Sequence, residues 1–217
     1  NIAAEDSVSV IDKLLFVQKQ YAVETEDLAD AIKIMGEAAQ QYGISLDSLM
    51  GSVTAIIQVT RRTGNQVGNS LKTMFARFVQ EDTVEFLRDI GIASFDASGD
   101  MRSLDDVLND ISIRWNTLTG VQRANLATLI GGIRHYPQFM VLMDQYAVKL
   151  DATMQAQKAQ NFATAAATKQ IDTLAAQYGI LKNYLSEVAV SIGESEGGLF
   201  SFAKGLTTIA IEIAKFG

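Results

Sequence analysis

The sequence predicts an all-α protein, with a compact multi-helix core followed by a long coiled-coil-like helix and an amphipathic apolar helix. Three observations carry this. Proline occurs once in 217 residues while glycine occurs 16 times, so helices can run unbroken and be punctuated at their ends. Apolar residues recur at steps of three and four along most of the chain. With 48% hydrophobic and 20% charged residues, the chain has enough apolar surface to fold and is not a disordered one. The organisation that follows is a helical core module over 1–143, an alanine-rich heptad helix over 144–193 and an apolar segment over 194–217.

Val10, Leu14, Val17 and Tyr21 lie four, three and four apart, which predicts a helix over 8–21. Thr25 is the expected cap of a second helix, with Glu26 and Asp27 in its first turn, where the macrodipole favours acids. Leu28, Ile32, Met35, Ala39 and Tyr42 form its inner face, and Gly43 followed by Ile44 ends it. Ser45 caps a third helix with Leu49, Val53, Ile56 and Thr60 on one side, and Gly64 is expected to close it. Leu71, Phe75, Phe78 and Val79 mark a fourth helix, and 83–90 is a short fifth ended by Gly91-Ile92. Residues 94–102 carry turn residues at their centre and suggest a small hairpin. Ser103 with Asp106 three residues later resembles a capping box, and Leu104, Val107, Leu108, Ile111, Trp115 and Leu118 follow as an inner face. Thr119 caps the next helix, Gly131-Gly132 ends it, and Pro137 is expected in the first turn of its successor.

From about Phe139 glycine becomes rare and alanine dense, which predicts one long helix. Leu174, Tyr178, Leu181, Leu185, Val188 and Ile192 alternate steps of four and three, a heptad seam that serves equally as an oligomer interface or an internal core. Leu199, Phe202, Leu206, Ile209 and Ile213 share one side of the last segment, a membrane-active face in one reading. No run of 18 uncharged apolar residues predicts a transmembrane span. A start at Asn1, without a basic and then apolar leader, suggests a piece of a longer polypeptide.

Composition narrows the chemistry. The formal charge is −7, and residues 1–108 hold 9 basic against 17 acidic side chains. The longest basic cluster is Arg61-Arg62, so there is no stripe for sequence-specific nucleic acid. The absence of cysteine removes disulfides, thiolate nucleophiles and most structural zinc sites. His135 is the single histidine and has no acidic neighbour in sequence, which suits a surface or capping role. Aligning Gly99 with the glycine of a calcium loop puts Ser94 first, Arg102 ninth and Asp105 twelfth, a ligand set unfit for calcium. The glycines of 64–70 lack the GK[ST] ending of a phosphate loop, so close helix packing is the better reading. No metal, cofactor or catalytic residue is expected, and the protein reads as a non-enzyme.

The stretch GNSLKTMFARF, Gly68 to Phe78, resembles the most regular motif of phage tail tape measure proteins. TEDLADAIKIMGEAAQQYGISLDSLMGSVTAI, GIASFDASGDMRSLDDVLNDI and LIGGIRHYPQFMVLM resemble neighbouring segments of that family in the same order, so the likeness covers roughly 8–143. The motif positions it marks are Gly64, Gly68, Leu71, Lys72, Phe75, Arg77, Gly131, Gly132 and Arg134. The resemblance implies a virion protein that is made in the host cytoplasm, occupies the lumen or tip of the tail tube, sets tail length during tube assembly and leaves with the DNA. It also implies a homo-oligomer, trimeric or hexameric. Tail tube and distal tail or baseplate proteins, tail assembly chaperones and, on ejection, the host membrane are the implied partners. The alternative readings are a helical scaffold, a membrane-active pore-forming module or a wall-degrading enzyme segment.

Overall fold

The computed structural model describes residues 4–159, and among these eight helices follow one another without a β-strand: α1 (Ala4–Gln20), α2 (Thr25–Gln41), α3 (Leu46–Thr60), α4 (Gly64–Arg77), α5 (Glu81–Asp89), α6 (Leu104–Trp115), α7 (Gly120–Asp144) and α8 (Tyr146–Lys158). The protein is all-α. The heptad seam Leu174–Ile192 and the apolar face Leu199–Ile213 lie outside the described residues.

α3 is the axis of the core. Every residue from Ser48 to Ile57 is buried, the polar Ser48, Ser52 and Thr54 included, so the helix is covered on all sides and not only on its Leu49–Val53–Ile56 face. α2 and α4 pack on it and on each other, and α8 runs along its remaining face. The inner faces expected for the first three helices are largely the ones observed: Leu14, Val17, Leu28, Met35, Ala39, Leu49, Val53 and Ile56 are buried. Aromatic rings join the outer helices to this core. Trp115 of α6 meets Phe139 of α7 edge-on at 6.0 Å, and Phe78 meets the same ring at 6.3 Å. The indole of Trp115 donates to Asp144 at 2.7 Å.

Local signals set most helix ends. At Gly43-Ile44 the Ile44 N–H reaches the Ala39 carbonyl at 2.8 Å and Gly43 has φ +69°, the Schellman pattern with its buried isoleucine. Gly91-Ile92 repeats it at the end of α5, with Ile92 N–H on Leu87 at 2.8 Å. Ser45 and Thr119 cap α3 and α7 as expected, and Thr119 forms a reciprocal box with Gln122. The hairpin of 94–102 closes on a single antiparallel bridge, Phe95 to Met101, and Asp96 accepts from the Ser98 and Asp100 amides.

Several expectations need correction. Glu24, not Thr25, takes the cap position of α2; Thr25 is the first helical residue and its hydroxyl donates to Gln18. Gly64 does not close α3. Arg61 ends that helix in the left-handed region at φ 53°, and Gly64 opens α4 behind a Thr63–Gln66 capping box. Val79 is 47% exposed because α4 stops at Arg77. Ser103 caps α6 through the Asp105 amide without a reciprocal bond from Asp106, and its hydroxyl donates to the Gly43 carbonyl, tying α6 to the end of α2. Pro137 lies five residues beyond the break at Gly132, past the first turn. The long helix foreseen from Phe139 breaks at Gln145, and its part beyond Ala159 lies outside the described residues. α8 folds back onto α3, so the compact unit extends past Met143.

Candidate functional site

Six of the motif residues lie on α4, which packs against α2 at its start and against α7 further along. α4 crosses α2 through its glycines. A Cβ on Gly68 would sit 3.1 Å from the Ala31 Cα, and one on Gly64 would collide with the Asp27 carbonyl. The Gly64 amide donates to the Asp27 carboxylate at 2.6 Å, so the acid of one helix caps the orphan amide of the next. Leu71 and Phe75 continue the same face into the core, where Phe75 is 1% exposed and meets Tyr42 edge-on at 6.3 Å.

The second half of the motif is a break in α7. Gly132 has φ 60° and ψ −178°, a conformation essentially confined to glycine. A Cβ on Gly131 would sit 2.6 Å from the Tyr136 Cα. Arg77, at the end of α4, donates from Nε to the Leu129 carbonyl at 2.7 Å, beside Gly132. The guanidinium thus caps the C-terminal carbonyls of the first α7 segment, where a cation is favoured. Lys72 and Arg134 are exposed and make no side-chain hydrogen bond or ion pair among the described residues.

His135 follows the break. Its Nδ1 lies 3.0 Å from the Ser70 hydroxyl, which itself donates to the Gln66 carbonyl at 2.8 Å. With the Gln138 amide oriented by its neighbours, its nitrogen donates to the His135 carbonyl at 3.0 Å and its oxygen accepts from Arg62 at 2.9 Å. Burial, then Arg62 and Arg134, hold the imidazole below its ordinary value. This pair does not form a nucleophilic centre. Ser70 is fully buried, and the charged groups that bear on His135 are cations, which disfavour the imidazolium a general base must become. Among the described residues no group of three or more His, Cys, Asp or Glu gathers to hold a metal, and no helix is long and apolar enough to cross a membrane.

The arrangement is a junction, not a pocket for chemistry. It joins three helices by glycine contacts, a guanidinium cap and a buried amide. Sequence reasoning missed Asp27, Arg62 and Gln138, whose partners lie 37, 76 and 3 residues away. It also missed Gly51 and Lys149, which dock α8. A Cβ at Gly51 would collide with the Lys149 carbonyl, and Lys149, 3% exposed, pairs with Asp105 at 3.1 Å.

Residues 1–132, more than half of the chain, match the model of the family described as phage-related minor tail protein. That match ends at the Gly131-Gly132 break. Over 130 residues the chain is 25% identical to a tape measure protein of Pneumococcus phage Dp-1, covering 59% of this chain and 11% of that protein. The chain therefore corresponds to about a ninth of the length of that relative. No solved structure matches it.

Proposed function

The chain belongs to the phage-related minor tail protein family, and from that premise we propose that it is the anchoring module of a tail tape measure protein. The observation that carries this reading is the match of 130 of its residues to a named tape measure protein. In this account a longer parent protein occupies the tail tube lumen while tube subunits polymerise around it. Its extended helical part sets the length, and the parent leaves the tube with the DNA.

The core described here is not the extended part. Its longest helix, α7, has 25 residues and is broken at Gly132, and α2, α4 and α8 pack back on α3. A ruler must present length, and this unit presents bulk. It therefore serves as an end-piece, held by contacts to the distal tail, with copies arranged three or six to a tube. A net charge of −7 disfavours contact with the DNA that follows it through the lumen.

Protease protection tests the placement. In intact tails the chain should resist added protease, and in tails that have ejected their DNA it should be cleaved or gone. Cleavage at equal rates before and after ejection would put it on the tail exterior and refute the reading.

A further inference from the structure

A groove of about 580 Å³ opens between α1, α2 and α3, floored by Val10, Ile32, Ile44 and Leu49. Gly36, in the middle of α2, lines it. A glycine inside a helix is unfavourable relative to alanine, so it calls for a reason. Elsewhere in this chain the reason is visible. Gly51, Gly64 and Gly68 each lie against the backbone of another helix. At Gly36 a Cβ would meet only Ile32 Cγ2 of the same helix, at an ordinary 3.8 Å. Packing among the described residues leaves this glycine unexplained, and the groove beside it has room for a helix at close approach.

Charge identifies the occupant. Lys33 and Glu37 flank Gly36 on the rim, both exposed, and neither has an ion-pair partner among the described residues. Within one helix this order, lysine four residues before glutamate, is the weaker one. About a two-fold axis passing by Gly36, with antiparallel helices, Lys33 of one copy lies opposite Glu37 of the other, twice over. A patch that complements itself in this way is the signature of an isologous contact. Copies each carrying −7 repel one another, so matched pairs are what such a contact needs. We propose that α2 of a second copy occupies this groove, with the two Gly36 residues at the crossing and reciprocal Lys33–Glu37 pairs on either side. The contact itself is independent of the tail reading. Resting on that reading, it favours six copies, built as three pairs, over three.

The test uses the full chain, which contains no cysteine. Gly36→Cys should form a disulfide-linked dimer under mild oxidation, because the crossing brings the two Cα atoms within roughly 7 Å. Ser98→Cys, on the hairpin, should not. In sedimentation the native chain should contain paired copies, and Gly36→Leu should halve the mass while keeping the helical circular dichroism, since leucine is the better helix former. Lys33→Glu alone should weaken pairing by about tenfold or more through like-charge contacts, and Lys33→Glu with Glu37→Lys should restore it. A native chain monomeric at all concentrations, an unlinked Gly36→Cys, or an unchanged mass for Gly36→Leu would each overturn the proposal. None of these results alters the protease pattern of tails, so the two readings fail separately.

Discussion

Replacing Asp105 by Asn should destabilise the core far more than replacing its partner Lys149 by Met. The two side chains pair at 3.1 Å, but their surroundings differ. The Lys149 side chain is 4% exposed, with its ammonium 5.0 Å from the Tyr146 ring centroid, while that of Asp105 is 25% exposed and also accepts from the Ser48 hydroxyl. Asp105→Asn leaves a buried ammonium without a counter-charge, which costs about 3–5 kcal/mol. Lys149→Met keeps the stem's volume, and the carboxylate left behind retains water and Ser48, so the loss should be about 1 kcal/mol. Urea unfolding followed by Trp115 emission measures both. Trp115 is the single tryptophan, is 2% exposed and bonds to Asp144, two residues before α8 begins. Equal losses, or a larger loss for Lys149→Met, would refute the assignment of Lys149 as the desolvated partner that docks α8.

Further outcomes are expected. Gly132→Ala should cost about 1–3 kcal/mol, since alanine must adopt a glycine-only conformation there, and thermal melting should show it. Phe75→Ala should cost about 3–5 kcal/mol in the same assay, because the ring is fully buried against Tyr42. Tyr146→Phe should be neutral or stabilising by up to about 1 kcal/mol, as the buried Tyr146 hydroxyl has no hydrogen-bond partner among the described residues. The same phenol is pushed well above its ordinary value by burial and then by Asp105, Asp106 and Asp110, so the unfolded chain ionises first and stability should fall as pH rises beyond about 10. The folded His135 binds its proton less readily than the unfolded one, so it should remove stability as pH falls below about 6.5, an effect that His135→Gln abolishes in pH-dependent melts.

What the sequence made legible was what a few adjacent residues decide. The endings at Gly43-Ile44 and Gly91-Ile92 are complete within six residues, so their pattern reads directly from the chain. The fold class follows in the same way from period and punctuation. Gly64 shows the limit. Read locally it is a stop, but its role is set by Asp27 on another helix, and only the packed structure turns it into a start. Pro137 was placed from the rule for isolated helices, whereas the break lies at Gly132, where Arg77 arrives from 52 residues away to cap Leu129. The stretch of α8 reads as helix in the sequence, but its return onto α3 does not, for a related reason. Its buried face is Tyr146, Lys149, Ala152 and Ala156, and a buried lysine hides the inward side from any hydrophobic count. Of the motif, resemblance supplied the positions and the structure supplied the contacts for Gly64, Gly68, Phe75, Arg77, Gly131 and Gly132.

The most direct test of the tape measure account is tail length after an in-frame deletion that spares the core. Residues 147–158 are unsuitable, because α8 covers α3 and carries Lys149. Deleting residues 160–187 removes four heptads beyond it. If that stretch lies in the ruler, tails measured by electron microscopy should shorten uniformly by about 42 Å, at about 1.5 Å per helical residue. Tails of unchanged length from the same deletion would contradict a measuring role for this chain.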